Sequence, residues 1–308
     1  MLHRLAFRAP FDRPWMDWFL RAHAAPGIES YEGGCYRTSV PLPHGPALIS
    51  LRIGQDHVVL DTDANADRRD EAELLARIRR FLDLDADPLA VDRTLSADPR
   101  LAPLVSAAPG IRLPGCLEPH ELLLRTMLGQ QVSVAAARTA VARLARALGE
   151  PLHDPTGRLT HRFPASSAIA EHGAAVLTGP GRRVRSVIAV AAALADGTLR
   201  LDVARDPGEL RAELLALPGI GPWTAAYVGM RLLRDPDVLL STDLVVRRGA
   251  ELVGLDVEDT GHLAPWRSYA SLHLWRVEVW RRAGLDPAAP PDRADPDAIT
   301  HPDDTGRF

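Results

Sequence analysis

The chain contains no lysine; all 36 basic residues are arginine. No side-chain amine is therefore present to form a Schiff base or to act as a catalytic nucleophile. Cysteine is almost as scarce, with only Cys35 and Cys116. Two thiols cannot fill a four-cysteine zinc site or hold an iron–sulfur cluster, and both read as small buried hydrophobes. Long apolar runs are missing as well, and none reaches the ~18 residues of a membrane span. The opening MLHRLAFRAPFDRPWM has no apolar core of a secretion signal, because Asp12, Arg13 and Pro14 interrupt it. These absences predict a cytoplasmic protein with no lysine-based, iron–sulfur or membrane function.

What is present is ordinary for a globular chain: 308 residues, 46% hydrophobic and 25% charged, enough for two or three domains with real cores. The formal net charge of −4 is unevenly spread. Residues 1–117 carry 14 basic and 16 acidic side chains, residues 118–284 carry 20 and 18, and residues 285–308 carry 2 and 6. The deficit falls to the tail, and the middle segment stays compatible with a phosphate backbone.

Residues 1–87 read as α+β. HRLAFR, CYRTSV, PALISLRIG and DHVVLDTD are short β-rich runs separated by turn residues. Pro14 opens a helical pattern with Trp15, Trp18 and Phe19. Asp67 to Asp83 is a second, amphipathic helix with Leu74, Leu75, Ile78, Phe81 and Leu82 on one face. An antiparallel sheet covered by helices is predicted. From residue 88 the pattern turns helical, with segments near 89–94, 98–106, 118–130, 133–148, 165–170, 181–196, 207–216, 222–234, 243–253 and 265–282. The expected division is an N-terminal sheet domain at 1–87 and a helical region at 88–284. Residues 285–308 form an acidic, Pro-rich tail that is expected to be disordered.

One stretch concentrates the chemistry. In LPGIGPWTA, Gly219 and Gly221 give a tight turn between two helical patterns, and Pro222 suits a first helical turn. The free N–H groups of such a turn, backed by a helix dipole, form an anion site, and a phosphate on DNA would suit it. An isolated G-x-G is more often an ordinary corner. Here the Pro, Trp and Thr-Ala context between two amphipathic helices argues for more. Asp243 follows 22 residues after Gly221, within LLSTDLVVRR. Ser241, Thr242 and Asp243 all form helix caps, so capping competes with catalysis as the reason for that carboxylate.

Taken together, IRLPGCLEPHELLLRTMLGQQVSVAAA, LPGIGPWTAAYVGMR, STDLVVRR, APWRSYASLHLWRVEVW and the opening PFDRPWMDWFL resemble the helix-hairpin-helix DNA glycosylase superfamily, and within it the bacterial 3-methyladenine DNA glycosylases of the AlkA type. The likeness covers about residues 1–282 in order. It implies two packed helical subdomains, roughly 113–230 and 88–112 plus 231–284. It puts Asp243 in the place of the catalytic aspartate, with Trp223, Tyr227, Trp275, Phe19 and Leu244 around the base pocket. DNA contacts fall to Gly219, Ile220, Gly221, Thr224, Gln131 and Arg247. No cofactor is required, although hairpin carbonyls near Leu215, Leu217 and Ile220 are expected to hold a monovalent cation. The expected partner is double-stranded DNA containing alkylated bases, the expected state a monomer, and no fused alkyl-acceptor domain is expected.

The implied chemistry is excision of alkylated purines. A flipped cationic base stacks on the aromatic rings and leaves without a general acid, while Asp243 stabilises the oxocarbenium-like sugar. Bifunctional relatives place a lysine where this chain has Trp223, so a monofunctional enzyme is expected. Two departures stand out. Gln131 is polar where an apolar wedge is usual, and Leu244 stands where an aromatic would complete the pocket. His273 reads as a core or supporting histidine rather than a proton carrier. A glycosylase of the same scaffold for uracil or another lesion, and a non-catalytic DNA-binding protein, are the competing readings.

Overall fold

A computed structural model of the chain describes residues 1–63 and 66–286. Five strands form one antiparallel sheet: β1 (Leu2–Ala6), β2 (Glu29–Glu32), β3 (Cys35–Val40), β4 (Ala47–Ile53) and β5 (His57–Thr62), in the order β1-β5-β4-β3-β2. Alternation is clean. Ala47, Ile49, Leu51 and Ile53 face inward on β4, aligned through the Tyr36–Leu51 and Leu51–Leu60 pairs. Strand β2 is not among the predicted runs. Its sequence, ESYE, has no β-branched or aliphatic side chain, and it is an edge strand held by its pairing with β3.

Helices α1 (Arg13–His23) and α2 (Glu71–Phe81) cover the inner face. Met16 and Leu20 of α1 join Leu74, Ile78 and Phe81 of α2 over the sheet. The other side of α1 faces away from it. Trp15, Trp18 and Phe19 are buried in the core of the helical region, where Trp15 and Trp18 stack at 5.2 Å and Trp280 closes over both. A helix apolar on both sides must be buried on both. All five strands precede residue 87, but α1 belongs to both cores.

Ten helices follow among the described residues: α3 (Pro88–Ser96), α4 (Ala102–Ala107), α5 (Pro119–Leu128), α6 (Val134–Leu148), α7 (Ser166–Val176), α8 (Gly181–Ala195), α9 (Pro207–Ala216), α10 (Pro222–Leu233), α11 (Leu244–Val253) and α12 (Arg267–Arg282). Helix α7 runs past its predicted end near 170. Its second half contains Gly173, and packing against α8 holds it where local propensity does not. Helix α12 is the axis, buried without a break from Ser268 to Trp280. Leu285 still packs on that core, so the predicted tail starts slightly later than 285. The rest of that predicted tail, from 287, lies outside the described residues.

Candidate active site

The hairpin is the turn Leu217–Gly221 between α9 and α10. Gly219 has φ +81°, and a β-carbon there would sit 2.7 Å from Ser186 on α8. Gly221 differs. Its φ of −97° suits any residue, and nothing lies within 4 Å of the position its β-carbon would take. The space beside Gly221 is thus open to an external group rather than filled by the fold. The first turn of α10 leaves its N–H groups without intrahelical partners, as every helix start does.

Gln130 locks this turn from the neighbouring loop. Its Nε2 donates to the Gly219 carbonyl and to Thr224 Oγ1, both at 2.9 Å, and Arg183 of α8 donates to the Gln130 carbonyl at 2.9 Å. Gln131, next in the chain, takes φ +58° and is exposed at the cavity mouth. Two expected DNA contacts are corrected here. The Thr224 side chain is 2% exposed and committed to Gln130, and Ile220 is buried with its N–H turned back to Leu217. Only the backbone of Thr224 remains for an external phosphate.

Asp243 is fixed from two sides. The extended segment before it is pinned to α12, because Ser268 Oγ accepts from Val238 N and Ser271 Oγ from Leu240 N. Asp243 itself caps α11, with Oδ1 accepting from Val245 N at 2.8 Å and Val246 N at 3.0 Å. The indole Nε1 of Trp223 donates to Oδ2 at 2.7 Å, which joins α10 to the carboxylate. Burial to 6% exposure pushes the Asp243 carboxyl up, against these three N–H donors.

The rings form one wall of a cavity of about 660 Å³ that also contains Asp243. Trp223 stacks on Tyr227 at 5.1 Å and 8°, and Trp275 meets Tyr227 edge-on at 6.2 Å. Phe19 reaches the same cavity from α1. The guanidinium of Arg231 lies 5.0 Å from the Phe19 ring and 5.4 Å from the Tyr227 ring and bonds to the Tyr227 hydroxyl. Leu244, 42% exposed, stands at the rim. Arg247 and Arg248 are exposed on the same helix. His273 lies 1% exposed in α12, where burial pushes its pKa down to about 3, so it stays neutral. Cys116 lines the cavity with a thiol that burial pushes up to about 12, which leaves it unreactive.

Sequence reasoning overlooks three features of the site. Arg231 follows Tyr227 by one helical turn, a spacing visible in the sequence. Gln130 gives no such signal, because its partners Gly219 and Thr224 lie 89 and 94 residues further along the chain. The third is the basic first turn of α8. It carries Arg182 and Arg183, with Arg185 just beyond, and no acidic residue, against the preference of a helix dipole.

A sheet domain packed on a helical body, with hairpin, aspartate and aromatic wall at one cleft, is the architecture of the helix-hairpin-helix DNA glycosylases. The 3-methyladenine DNA glycosylase structure from Archaeoglobus fulgidus superposes with a TM-score of 0.74 at 19% identity, covering 90% of this chain and 98% of that one. The chain belongs to the AlkA family of DNA-3-methyladenine glycosylases. The profile of the AlkA N-terminal domain matches residues 2–118. "DNA-3-methyladenine glycosylase 2" of Escherichia coli K12 is 32% identical over 287 residues, 91% of this chain and 99% of that protein. A "Probable bifunctional transcriptional activator/DNA repair enzyme AlkA" of Mycobacterium tuberculosis is 45% identical over 282 residues, and the match spans 88% of this chain but 56% of that relative's length.

Proposed function

We propose that the protein is a monofunctional DNA glycosylase that hydrolytically excises alkylated purines from double-stranded DNA. The observation that carries this reading is the Asp243 carboxylate, held by three N–H donors in the wall of an aromatic cavity beside the hairpin. Backbone N–H groups of the hairpin and the first turn of α10 grip a phosphate beside Gly221, while Arg247 and the arginines of α8 add charge. Gln131 enters the gap left by the flipped nucleotide. The displaced base, cationic when alkylated, stacks against Trp223, Tyr227 and Trp275, each contact worth ~0.5–2 kcal/mol. The glycosidic C–N bond then breaks and its electron pair leaves with the base. Asp243 stabilises the positive sugar, and water adds to the anomeric carbon and loses a proton to leave an abasic site.

Strand cleavage requires an amine that attacks the sugar. Trp223 fills the position such an amine would occupy, and the chain has no lysine. The same reading has the enzyme working as a cytoplasmic monomer. Hairpin carbonyls near Leu215, Leu217 and Ile220 hold a monovalent cation between turn and phosphate. The Leu217 carbonyl accepts a long 3.3 Å bond from Ile220 N–H, which leaves it capacity for a cation. Replacing potassium or sodium by tetramethylammonium at constant ionic strength should then weaken DNA binding.

The decisive assay measures base release from methylated and from uracil-containing duplexes, with Asp243→Asn as control. Release of 3-methyladenine or 7-methylguanine that disappears in Asp243→Asn is expected. Release of uracil alone, or full activity in Asp243→Asn, would refute the reading. Strand breakage without added alkali would refute the monofunctional part.

A further inference from the structure

The cavity beside Asp243 does not end at the aromatic wall. It continues inward between α1, α5 and the sheet. The path can be followed by contacts: the Arg231 guanidinium spans Tyr227 and Phe19, Phe19 stacks on His23 at 4.2 Å, and Arg125 of α5 donates to the His23 carbonyl at 2.6 Å. There Arg125 pairs with Glu29 at 2.8 Å and with Glu121, one turn earlier on α5, at 2.7 Å. A volume of about 660 Å³ falls in the ~300–1,000 Å³ range of drug-sized ligand sites.

The two carboxylates are unequally served. Glu29 accepts from Arg125, from the Tyr36 hydroxyl at 2.5 Å and from Ala25 N–H at 2.9 Å, and it lies within the field of Arg138. Burial pushes it up, yet these partners outweigh burial and leave it lowered. Glu121 bonds to Arg125 through Oε1, its one side-chain hydrogen bond among the described residues. Burial pushes it up to about 7, with Glu29 and Glu118 adding to the rise. It is nevertheless 21% exposed, because it forms part of the cavity wall. A carboxylate that burial disfavours and that faces the cavity is stabilised by any donor or cation that arrives there.

We propose that Glu121 marks a second subsite, which accepts an alkyl arm ending in an ammonium or another hydrogen-bond donor when a base carrying such an arm occupies the aromatic pocket. This rests on the excision activity proposed above. It extends the substrate class from methylated purines to purines bearing polar, positively charged substituents. Arg125, itself anchored by Glu29, holds Glu121 in place, and the Glu121 Oε2 receives the arm.

The test compares, for one protein preparation, the rate of release of a purine carrying a short or a long aminoalkyl arm with that of the corresponding methylated purine. Because each ratio is internal to a preparation, a partly unfolded variant does not distort it. The ratio for one of the arms should fall about tenfold in Glu121→Gln, as expected for the loss of a charge-assisted hydrogen bond. It should fall much less for a neutral alkyl arm of equal length. Equal ratios in wild type and Glu121→Gln would overturn the subsite. So would a wild-type protein that releases the methylated base and refuses every amino-terminated arm. Failure to release the methylated base would instead refute the excision activity itself.

Discussion

Replacing Trp223 by phenylalanine isolates one hydrogen bond from one stacking surface. The phenyl ring keeps a face against Tyr227, where the indole now stacks at 5.1 Å, but it cannot donate to Asp243 Oδ2 as the indole does at 2.7 Å. A hydrogen bond to a charged group contributes about 1.5–3 kcal/mol. If that bond serves mainly to hold the carboxylate charged and aimed at the sugar, the single-turnover excision rate should fall roughly 10- to 150-fold. Half-saturation with DNA should change little, because the hairpin is untouched. The pH profile should move as well. In the proposed mechanism Asp243 acts as an anion, and burial already raises its pKa against three N–H donors. Removing one donor raises the pKa further, so the acid limb of the rate profile should shift to higher pH. Trp223→Ala, which removes both ring and donor, should in addition weaken binding of the flipped base. An unchanged rate and acid limb in Trp223→Phe would show that the indole N–H does not govern the carboxylate.

The two hairpin glycines should respond in opposite ways. Gly219→Ala meets φ +81° and Ser186 at 2.7 Å and should cost about 1–3 kcal/mol in thermal or denaturant unfolding. Gly221→Ala should fold normally, since its surroundings are open, yet weaken DNA binding in a fluorescence titration by obstructing the phosphate. Arg247→Ala should lower affinity for any duplex sequence and reduce the slope of log affinity against log salt by about 1. His273, buried with its pKa pushed down to about 3, should make the fold acid-sensitive, because the unfolded chain takes up the proton near 6.5 and the folded one does not. Stability is then complete above pH 6.5 and is lost as pH falls towards 3. His273→Leu should gain on the wild type by about 3 kcal/mol between pH 7 and 4.5 in parallel denaturant titrations, a shift of two pK units at 1.36 kcal/mol each.

Much of the fold was legible because its signals are local. Strand β3 and helix α9 coincide with the predicted CYRTSV and 207–216 segments. Strand β2 was not, because ESYE has no apolar alternation and exists only through its partner strand. The spacing of Trp15, Trp18 and Phe19 predicts a helix, but no local pattern tells that Met16 faces the sheet core while Trp15 faces the helical one. At the site, the positions of Asp243, Trp223, Tyr227 and Trp275 could be expected, whereas the bonds among them could not. Thr224 and Ile220 count as DNA contacts in the sequence only through the family resemblance. Their burial depends on Gln130 and on the turn's own hydrogen bond, both set by tertiary packing. Glu121 looks in the sequence like an ordinary i,i+4 partner of Arg125. Only the cavity distinguishes it.

Capping and catalysis compete as explanations of Asp243 when the chain is read as a string, and the geometry leaves room for one carboxylate to serve both. Oδ1 is spent on the two N–H groups that begin α11, while Oδ2 faces the indole and the cavity. The cap is what gives the carboxylate its aim. Carboxylate and helix dipole also attract, which supports the charged form against burial. Substitutions at this position should therefore separate fold from chemistry. Asparagine keeps an oxygen for the cap and loses the charge, so Asp243→Asn should fold with nearly native stability and fail to excise. Alanine loses the cap as well, at about 0.5–2 kcal/mol, so Asp243→Ala should be both inactive and less stable. Equal stability of the two variants would mean that the cap bonds do not hold the loop, and that the pinning of residues 238 and 240 to Ser268 and Ser271 alone positions the carboxylate.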